Sequence, residues 1–267
     1  MRLQLIGLSL LFCVFCAGTA RAQLFLEEGK EVLAVSGADR ISKSVVIANT
    51  SKEKVTLKVY WEDFQYQPPY DGTKAFTPAG TSLASASQWV SYSPQEFTIP
   101  GFGKQKIDYT INVPAQIDKG YYGVLFFEKV GDGIKDKTGL NIVTRVGCLF
   151  FIEPKDALKK AVIQDVTVAK NTLTGNFINQ SNVILIPRMV YYIMDEGGMV
   201  KDRGEVKKIY VPAGATANWS LGLPPTLAPG KYSFVLNADL GDENVVVKEL
   251  DIVKDASGQL TLTNVRD

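Results

Sequence analysis

Hydrophobic and polar residues alternate with a period of two along most of this chain. In the stretch QKIDYTINVP, Ile107, Tyr109 and Ile111 alternate with charged and polar residues, which is typical of a strand with one buried face. The stretch GLNIVTRVGCLFFIEP alternates in the same way from Leu140 to Ile152. No stretch has the period of a helix of three turns or more, and turn residues recur at short intervals. The pattern predicts an all-β protein built of sandwich or barrel domains.

Two parts of the chain carry the same order of strand and turn signals. Each contains an apolar strand, an Asn-x-Ser corner at Asn49 or Asn179, and a second apolar strand. Each continues through a Pro- and Gly-containing turn and another strand to a Gly-x-Tyr sequence ending at Tyr122 or Tyr232. These tyrosines are interpreted as the tyrosine corners of Greek-key sandwiches, with each hydroxyl bonded to nearby loop backbone; the alternative is an ordinary core tyrosine after a glycine turn. The repeat predicts two tandem immunoglobulin-like (Greek-key) β-sandwich domains.

The predicted organisation has four parts. A short basic start, an apolar run and the sequence Ala20-Arg21-Ala22 indicate a cleaved signal peptide. The predicted segments are a signal peptide at 1–22, a first domain at 23–154 with a long insert at 65–94, a second domain at 155–255 and a polar tail at 256–267. We therefore expect a periplasmic or extracellular protein that is soluble after signal cleavage and has no transmembrane anchor. After cleavage one cysteine remains, Cys148, which is expected to be a small buried hydrophobe.

Composition argues against most enzyme chemistry. The chain has no histidine, and its 29 Lys and Arg residues nearly balance 28 Asp and Glu residues. Without histidine the commonest general base and metal ligand is missing, and the balanced charge does not favour nucleic-acid binding. We expect no catalytic residues, no cofactor and no metal. The alternative is a hydrolase with two converging carboxylates.

Two strands are apolar on both faces. These are YYGVLFFE and CLFFIE, whereas a strand of an antiparallel sandwich normally shows one face to water. Either the second face is covered by the linker or the second domain, or it takes up a strand from another protein.

Two families resemble this chain. The run NIVTRVGCLFFIEP and the stretch SVVIANTSKEKVTLKVY resemble the PapD-like periplasmic pilus chaperones. The stretch from PAGTSLASASQWV to GYYGVLFF is similar to the WxL-interacting cell-surface proteins, which carry two immunoglobulin-like domains. The first resemblance implies a non-enzymatic chaperone that binds an exported or surface protein subunit by β-strand addition. The second implies a module that binds peptidoglycan or surface proteins.

The resemblances also suggest binding residues. PapD-like chaperones anchor a carboxylate of their subunit with two basic residues; Lys30 or Arg40 would supply the first, and Arg145 the second. Strand addition would use the strand around Arg145, whereas the alternative module would use aromatic residues of the insert. The candidate partner-binding residues are Arg145, Val143, Leu149, Phe151, Trp89, Tyr70 and Phe76.

Overall fold

The computed structural model describes residues 24–131, 134–135 and 141–266, with the backbone alone for 134–135 and 141–142. The predicted signal peptide lies outside the described residues. No helix occurs in these ranges, and so none could cross a membrane.

Twelve strands lie in the described residues of the first part of the chain. Their bounds are β1 Leu24–Leu26, β2 Lys30–Val35, β3 Arg40–Asn49, β4 Val55–Tyr66, β5 Lys74–Pro78, β6 Val90–Ser93, β7 Glu96–Ile99, β8 Lys104–Asn112, β9 Tyr121–Lys129, β10 Ile134–Lys135, β11 Asn141–Ile142 and β12 Arg145–Pro154. One sheet has the order β1-β3-β8-β6, and the facing sheet has the order β2-β12-β9-β4-β5 with β7 also on β4. The core between them includes Ile47, Leu57, Ile107, Phe127 and Phe150.

Eight strands form the second part. Their bounds are β13 Ala161–Ala169, β14 Thr172–Asn179, β15 Arg188–Asp195, β16 Val200–Glu205, β17 Thr216–Gly222, β18 Gly230–Asp239, β19 Val245–Lys254 and β20 Leu260–Arg266. The sheets β13-β14-β17 and β16-β15-β18-β19-β20 enclose a second core around Phe177, Trp219 and Phe234. The all-β prediction of two tandem sandwiches is confirmed.

The Asn-x-Ser corners have the same structure in both domains. Asn49 Nδ2 donates to the carbonyls of Glu53 (2.6 Å) and Pro100 (3.1 Å), and Asn179 Nδ2 donates to those of Val183 and Val211 (both 2.8 Å). In each corner the asparagine Oδ1 accepts the N–H of the serine two residues later. Both asparagines are 1% exposed, and in each corner one buried side-chain amide bonds backbone groups of two turns.

Two segments differ from the sequence-based expectation. The segment expected to be a polar tail contains β20, which pairs with β19; Leu260 and Leu262 alternate with threonines and contact the second core. The strand expected to run unbroken from Leu140 to Ile152 is divided in the described residues, because β11 pairs antiparallel with β10 and β12 begins at Arg145. Leu140 lies outside the described residues.

Candidate functional site

β12 has a paired half and a half with one open edge. It pairs antiparallel with β9 along its length from Arg145 to Ile152. On its other side β2 runs parallel to it, but only from Leu149 to Pro154. No described strand lies on that side of residues 145–148.

The direction of the backbone groups follows from the ladder. Lys129 N–H donates to Thr144 O, and Leu149 N–H donates to Gly29 O on the opposite side. Because backbone groups alternate in direction along a strand, Arg145 and Gly147 direct their N–H and C=O groups away from β9. These groups have no backbone partner on that side among the described residues, and we call them the free edge.

Arg145 lies on the outer face of the sheet beside the free edge. Its guanidinium lies 3.9 Å from the ring centroid of Phe126 and 5.5 Å from that of Phe76. Nη1 donates to Tyr60 Oη (3.1 Å) and to Glu62 Oε1 (3.0 Å). The side chain is therefore held over an aromatic ring by contacts within its own chain, and one of its nitrogens already bonds a carboxylate.

The other predicted residues of β12 differ in access. Val143 is 48% exposed just before the strand. Leu149 is half-buried against the outer-face cluster, which we define as Phe64, Tyr66, Tyr122, Val124, Phe126 and Phe151. Phe151 is 2% exposed, so its side chain is not accessible to an added strand in this conformation.

The second domain covers part of the outer-face cluster. Ile184, Ile186 and Tyr210 contact the outer-face cluster, and the Tyr210 ring stacks on Tyr66 with centroids 4.8 Å apart. Backbone bonds support the contact, since Gly120 N–H donates to Asn182 O (2.9 Å). Of the two explanations for strands that are apolar on both faces, cover by the second domain accounts for this part of the sheet.

Tyr122 departs from its predicted role as a tyrosine corner. Its hydroxyl accepts the N–H of Ile184 in the second domain at 2.8 Å and lies 3.4 Å from Glu153 Oε1. Burial raises the pKa of Tyr122, and the nearby Glu153 charge adds to this. The side chain lies on the outer face of β9. Its hydroxyl therefore bonds the second domain and not the backbone of its own loop.

The insert stabilises the interdomain contact and does not gather its aromatic residues at one point. Tyr70 O accepts the N–H of Tyr210 (2.8 Å). Trp89 packs on Tyr121 with centroids 4.3 Å apart, while Phe76 contacts Phe126.

A buried carboxylate fixes the next part of the insert. Asp63 is fully buried and accepts the N–H of Ser82 (2.9 Å) and the hydroxyl of Ser85 (2.6 Å).

Lys30 is the basic residue of the first strands that lies next to β12. It pairs with Leu149, and its Nζ lies 4.0 Å from the centroid of Phe151. Burial lowers the pKa of Lys30; Glu153 opposes this shift and Lys208 adds to it. Arg40 instead begins β3 in the facing sheet, opposite Asn112. The sequence alone leaves both Lys30 and Arg40 as candidates, because the choice depends on which sheet each strand joins.

Two residues that the sequence did not single out for the site are Gly147, on the free edge, and Phe126 of β9, whose ring lies under the Arg145 guanidinium. A methyl group at Gly147 would lie 2.6 Å from Val124 Cγ2 and 2.9 Å from Phe126 Cε1, so glycine lets these side chains cover the strand. A glycine inside an apolar strand is a known sign of such close approach. Among the described residues no group of three or more acidic, cysteine or histidine side chains could hold a metal ion.

The fold is similar to solved structures of fimbrial chaperones. A structure described as a chaperone–tip adhesin complex in CFA/I fimbriae biogenesis has a TM-score of 0.51 and 15% identity, covering 85% of this chain and 97% of that chain. A class 5 fimbriae chaperone, CfaA, has a TM-score of 0.49 and 15% identity, covering 84% and 97%. The CsuC–CsuE chaperone–tip adhesion subunit pre-assembly complex of Acinetobacter baumannii has a TM-score of 0.47 and 12% identity, covering 85% and 98%.

No family model and no curated protein matches the sequence. The likeness to the first of these structures shows a shared two-domain β-sandwich fold. The resemblance to the WxL-interacting proteins stays a sequence-based expectation.

Proposed function

We propose that this protein is a non-enzymatic, extracytoplasmic chaperone that binds an extended segment of an exported or surface protein by strand addition at β12. The observation that carries the proposal is the free edge at Arg145 and Gly147, next to a stretch where β2 already occupies the same side of β12. An unpaired strand edge is a template for another chain. The shared fold with a structure described as a chaperone–adhesin complex supports the same function.

Backbone bonds alone would give modest affinity. Arg145 and Gly147 each offer one N–H and one C=O, and each hydrogen bond contributes about 1 kcal/mol net. Side-chain contacts must therefore supply much of the binding. Val143, which is exposed just before β12, and Leu149 on the outer face lie beside the edge and would select apolar side chains of the added strand. Phe76 lies on β5, at the other side of the sheet, and would not contact that strand directly.

Basic residues would orient the segment. By resemblance to PapD-like chaperones, Lys30 would meet a carboxylate of the partner, because it lies beside β12 where Arg40 does not. Arg145 would contribute the nitrogens that do not bond Tyr60 or Glu62. The protein would work in the periplasm or outside the cell without a cofactor or metal.

The backbone contribution can be isolated with two variants at one position. Arg145→Ala removes the side chain and keeps the N–H, whereas Arg145→Pro removes both. The Arg145 N–H has no backbone partner within the described part of the chain, so the proline costs no ladder bond. We expect exported subunits cross-linked in the intact envelope to be recovered with Arg145→Ala in reduced amount and to be lost with Arg145→Pro. Thermal unfolding of both variants checks that they fold.

Val143→Asp is a third variant. It places a charge at an exposed position beside the edge and should also abolish recovery of the subunit. Equal recovery with Arg145→Ala and Arg145→Pro would refute strand addition. The alternative is the cell-wall-binding module. It would be supported if binding to purified peptidoglycan sacculi were unchanged in the Arg145 and Val143 variants and lost with Trp89→Ala.

A further inference from the structure

A cavity lies between the two domains, beside the insert. Its volume is about 550 Å³, within the range of ~300–1,000 Å³ that is usual for sites of small molecules. The end of β4 and the insert form one wall, the turn before β9 forms a second, and the loop from Pro212 to Ala215 forms a third from the second domain. Neither Lys30 nor any described residue of β12 lines it, so the cavity is separate from the free edge.

Rings form much of the lining. The residues that contribute them are Phe64, Tyr66, Pro68, Tyr70, Tyr122 and Pro212. Four of these residues are aromatic, and aromatic rings pack on other aromatic rings by offset stacking or edge contacts. Such walls favour a flat ring as the ligand over a flexible chain.

The Tyr66 hydroxyl has no hydrogen-bond partner in the described part of the chain, although the residue is only 4% exposed. Its ring is fixed by stacking on Tyr210 and by an edge contact with Phe64, whose centroid lies 5.7 Å away. Burial raises the pKa of Tyr66, and the nearby Tyr210 adds to this, so the hydroxyl stays protonated at neutral pH and can donate. Buried hydroxyls normally have a partner. A ligand in the cavity that carries an acceptor would supply one.

Lys119 gives the cavity a positive charge. It is half-buried in the lining, and its Nζ lies 5.7 Å from the ring centroid of Tyr121 but forms no salt bridge within the described chain. The carboxylate of the preceding Asp118 instead lies 3.4 Å from the Tyr121 hydroxyl. Of the described residues, no acidic one lines the cavity. An ammonium group and a phenol donor, with no competing carboxylate, suit a carboxylate ligand.

We propose that this cavity binds a small aromatic carboxylate, with its ring against the aromatic walls and its carboxylate toward Lys119 and the Tyr66 hydroxyl. Because both domains and the insert contribute to the walls, a bound ligand would also stabilise the contact between the domains by mass action. This site goes beyond strand addition at β12 and does not depend on it.

Three naphthalene probes test the chemistry of the site. The probes share one ring system and differ in the attached group: 2-naphthoate is an anion, 2-naphthalenemethanol is neutral and 2-naphthylmethylamine is a cation. A proton–nitrogen correlation NMR titration of the purified protein gives both the affinity and the location. We expect 2-naphthoate to shift the amide signals of Gly120 and Gly214, which line the cavity, with a Kd of about 1 mM or lower. The alcohol should bind about tenfold more weakly, and the amine more weakly still.

Two variants assign the contacts. Lys119→Gln should weaken binding of 2-naphthoate about tenfold and leave binding of the alcohol unchanged. Tyr66→Phe should weaken it about fivefold without lowering the unfolding temperature, because the lost hydroxyl has no partner within the described chain. Lys54→Gln is the matched control, because this exposed lysine precedes β4 at the end of the strand that lies away from the cavity, and it should bind 2-naphthoate as the parent chain does.

Three results would overturn the proposal. They are unshifted Gly120 and Gly214 signals with 2-naphthoate, equal affinity for the three probes, and unchanged affinity in both Lys119→Gln and Tyr66→Phe. Because no subunit is present and no residue of the β12 edge is changed, failure of strand addition would not affect this result.

Discussion

The two Gly-x-Tyr sequences have the same local pattern and different structures. In the second domain the Tyr232 hydroxyl donates to Ala228 O, four residues earlier, at 2.7 Å, which is a tyrosine corner. In the first domain the Tyr122 hydroxyl accepts the N–H of Ile184 from the other domain. A methyl group at Gly120 would overlap this hydroxyl. One pattern thus closes a local turn in one domain and joins the two domains in the other.

The difference reflects which faces the domains bury. Tyr122 belongs to the outer-face cluster, which the second domain and the insert cover. Tyr232 belongs to the core of its own sandwich, so its hydroxyl can reach only the adjacent loop. We infer that the role of this tyrosine depends on whether its face of the sheet contacts the other domain, and not on the turn sequence.

The largest effects are expected at the two asparagine corners. Asn49→Ala and Asn179→Ala each leave two backbone carbonyls and a serine N–H without their side-chain partner. Each should lower the free energy of unfolding by about 3 kcal/mol, measured by denaturant titration. The exposed Asn112→Ala is the control, with a change of about 0.5 kcal/mol or less. A loss below about 1 kcal/mol at either corner would contradict the equivalence of the two corners.

Glycines beneath the core tryptophans give the next effect and should separate the domains. A methyl group at Gly123 would lie 2.0 Å from Trp61 Cζ2, whereas one at Gly175 would lie 2.8 Å from Trp219 Cζ2. Gly123→Ala should cost about 3 kcal/mol and Gly175→Ala about 1 kcal/mol, because the smaller overlap needs less movement of the ring. Unfolding followed by tryptophan fluorescence measures both. An equal cost would show that the two indole rings relax alike.

The tyrosines themselves come third. Tyr122→Phe leaves the Ile184 N–H without its acceptor, and Tyr232→Phe leaves the Ala228 carbonyl without its donor. Each should cost about 1 kcal/mol. Small-angle scattering should show a change in the relative position of the domains with Tyr122→Phe alone. The same change with Tyr232→Phe would mean that the corner also affects the interface.

Some of these structural features could be predicted from the sequence and others could not. The corners at Asn49 and Asn179 were predictable because an asparagine bonds backbone close in sequence, and an Asn-x-Ser pattern between apolar strands indicates such a turn. The role of Tyr122 could not be predicted, because the residue pattern of β9 shows two apolar faces but does not indicate which part of the protein covers the second face. The pairing of Arg145 with Glu62 also needed the register of β4, β9 and β12, which no local pattern specifies.

The smallest effect should come from two surface arginines that both pair with a glutamate. Arg145 bonds Glu62, with side chains 35% and 22% exposed, and lies over Phe126. Arg188 bonds Glu205 at 2.6 Å, but these side chains are 72% and 57% exposed and no aromatic ring contact accompanies the pair in the described chain. A shorter ion-pair distance does not mean a larger contribution to stability, because exposed pairs are screened by water and salt.

Arg145→Ala should therefore lower the free energy of unfolding by about 1 kcal/mol, mainly through the lost contact with the ring, and Arg188→Ala should give no measurable change. Denaturant titration at low and high salt separates the two contributions. If Arg188→Ala proved the more destabilising variant, ion-pair distance would outweigh burial here, and the aromatic support of Arg145 would have to be rejected as the reason for its position.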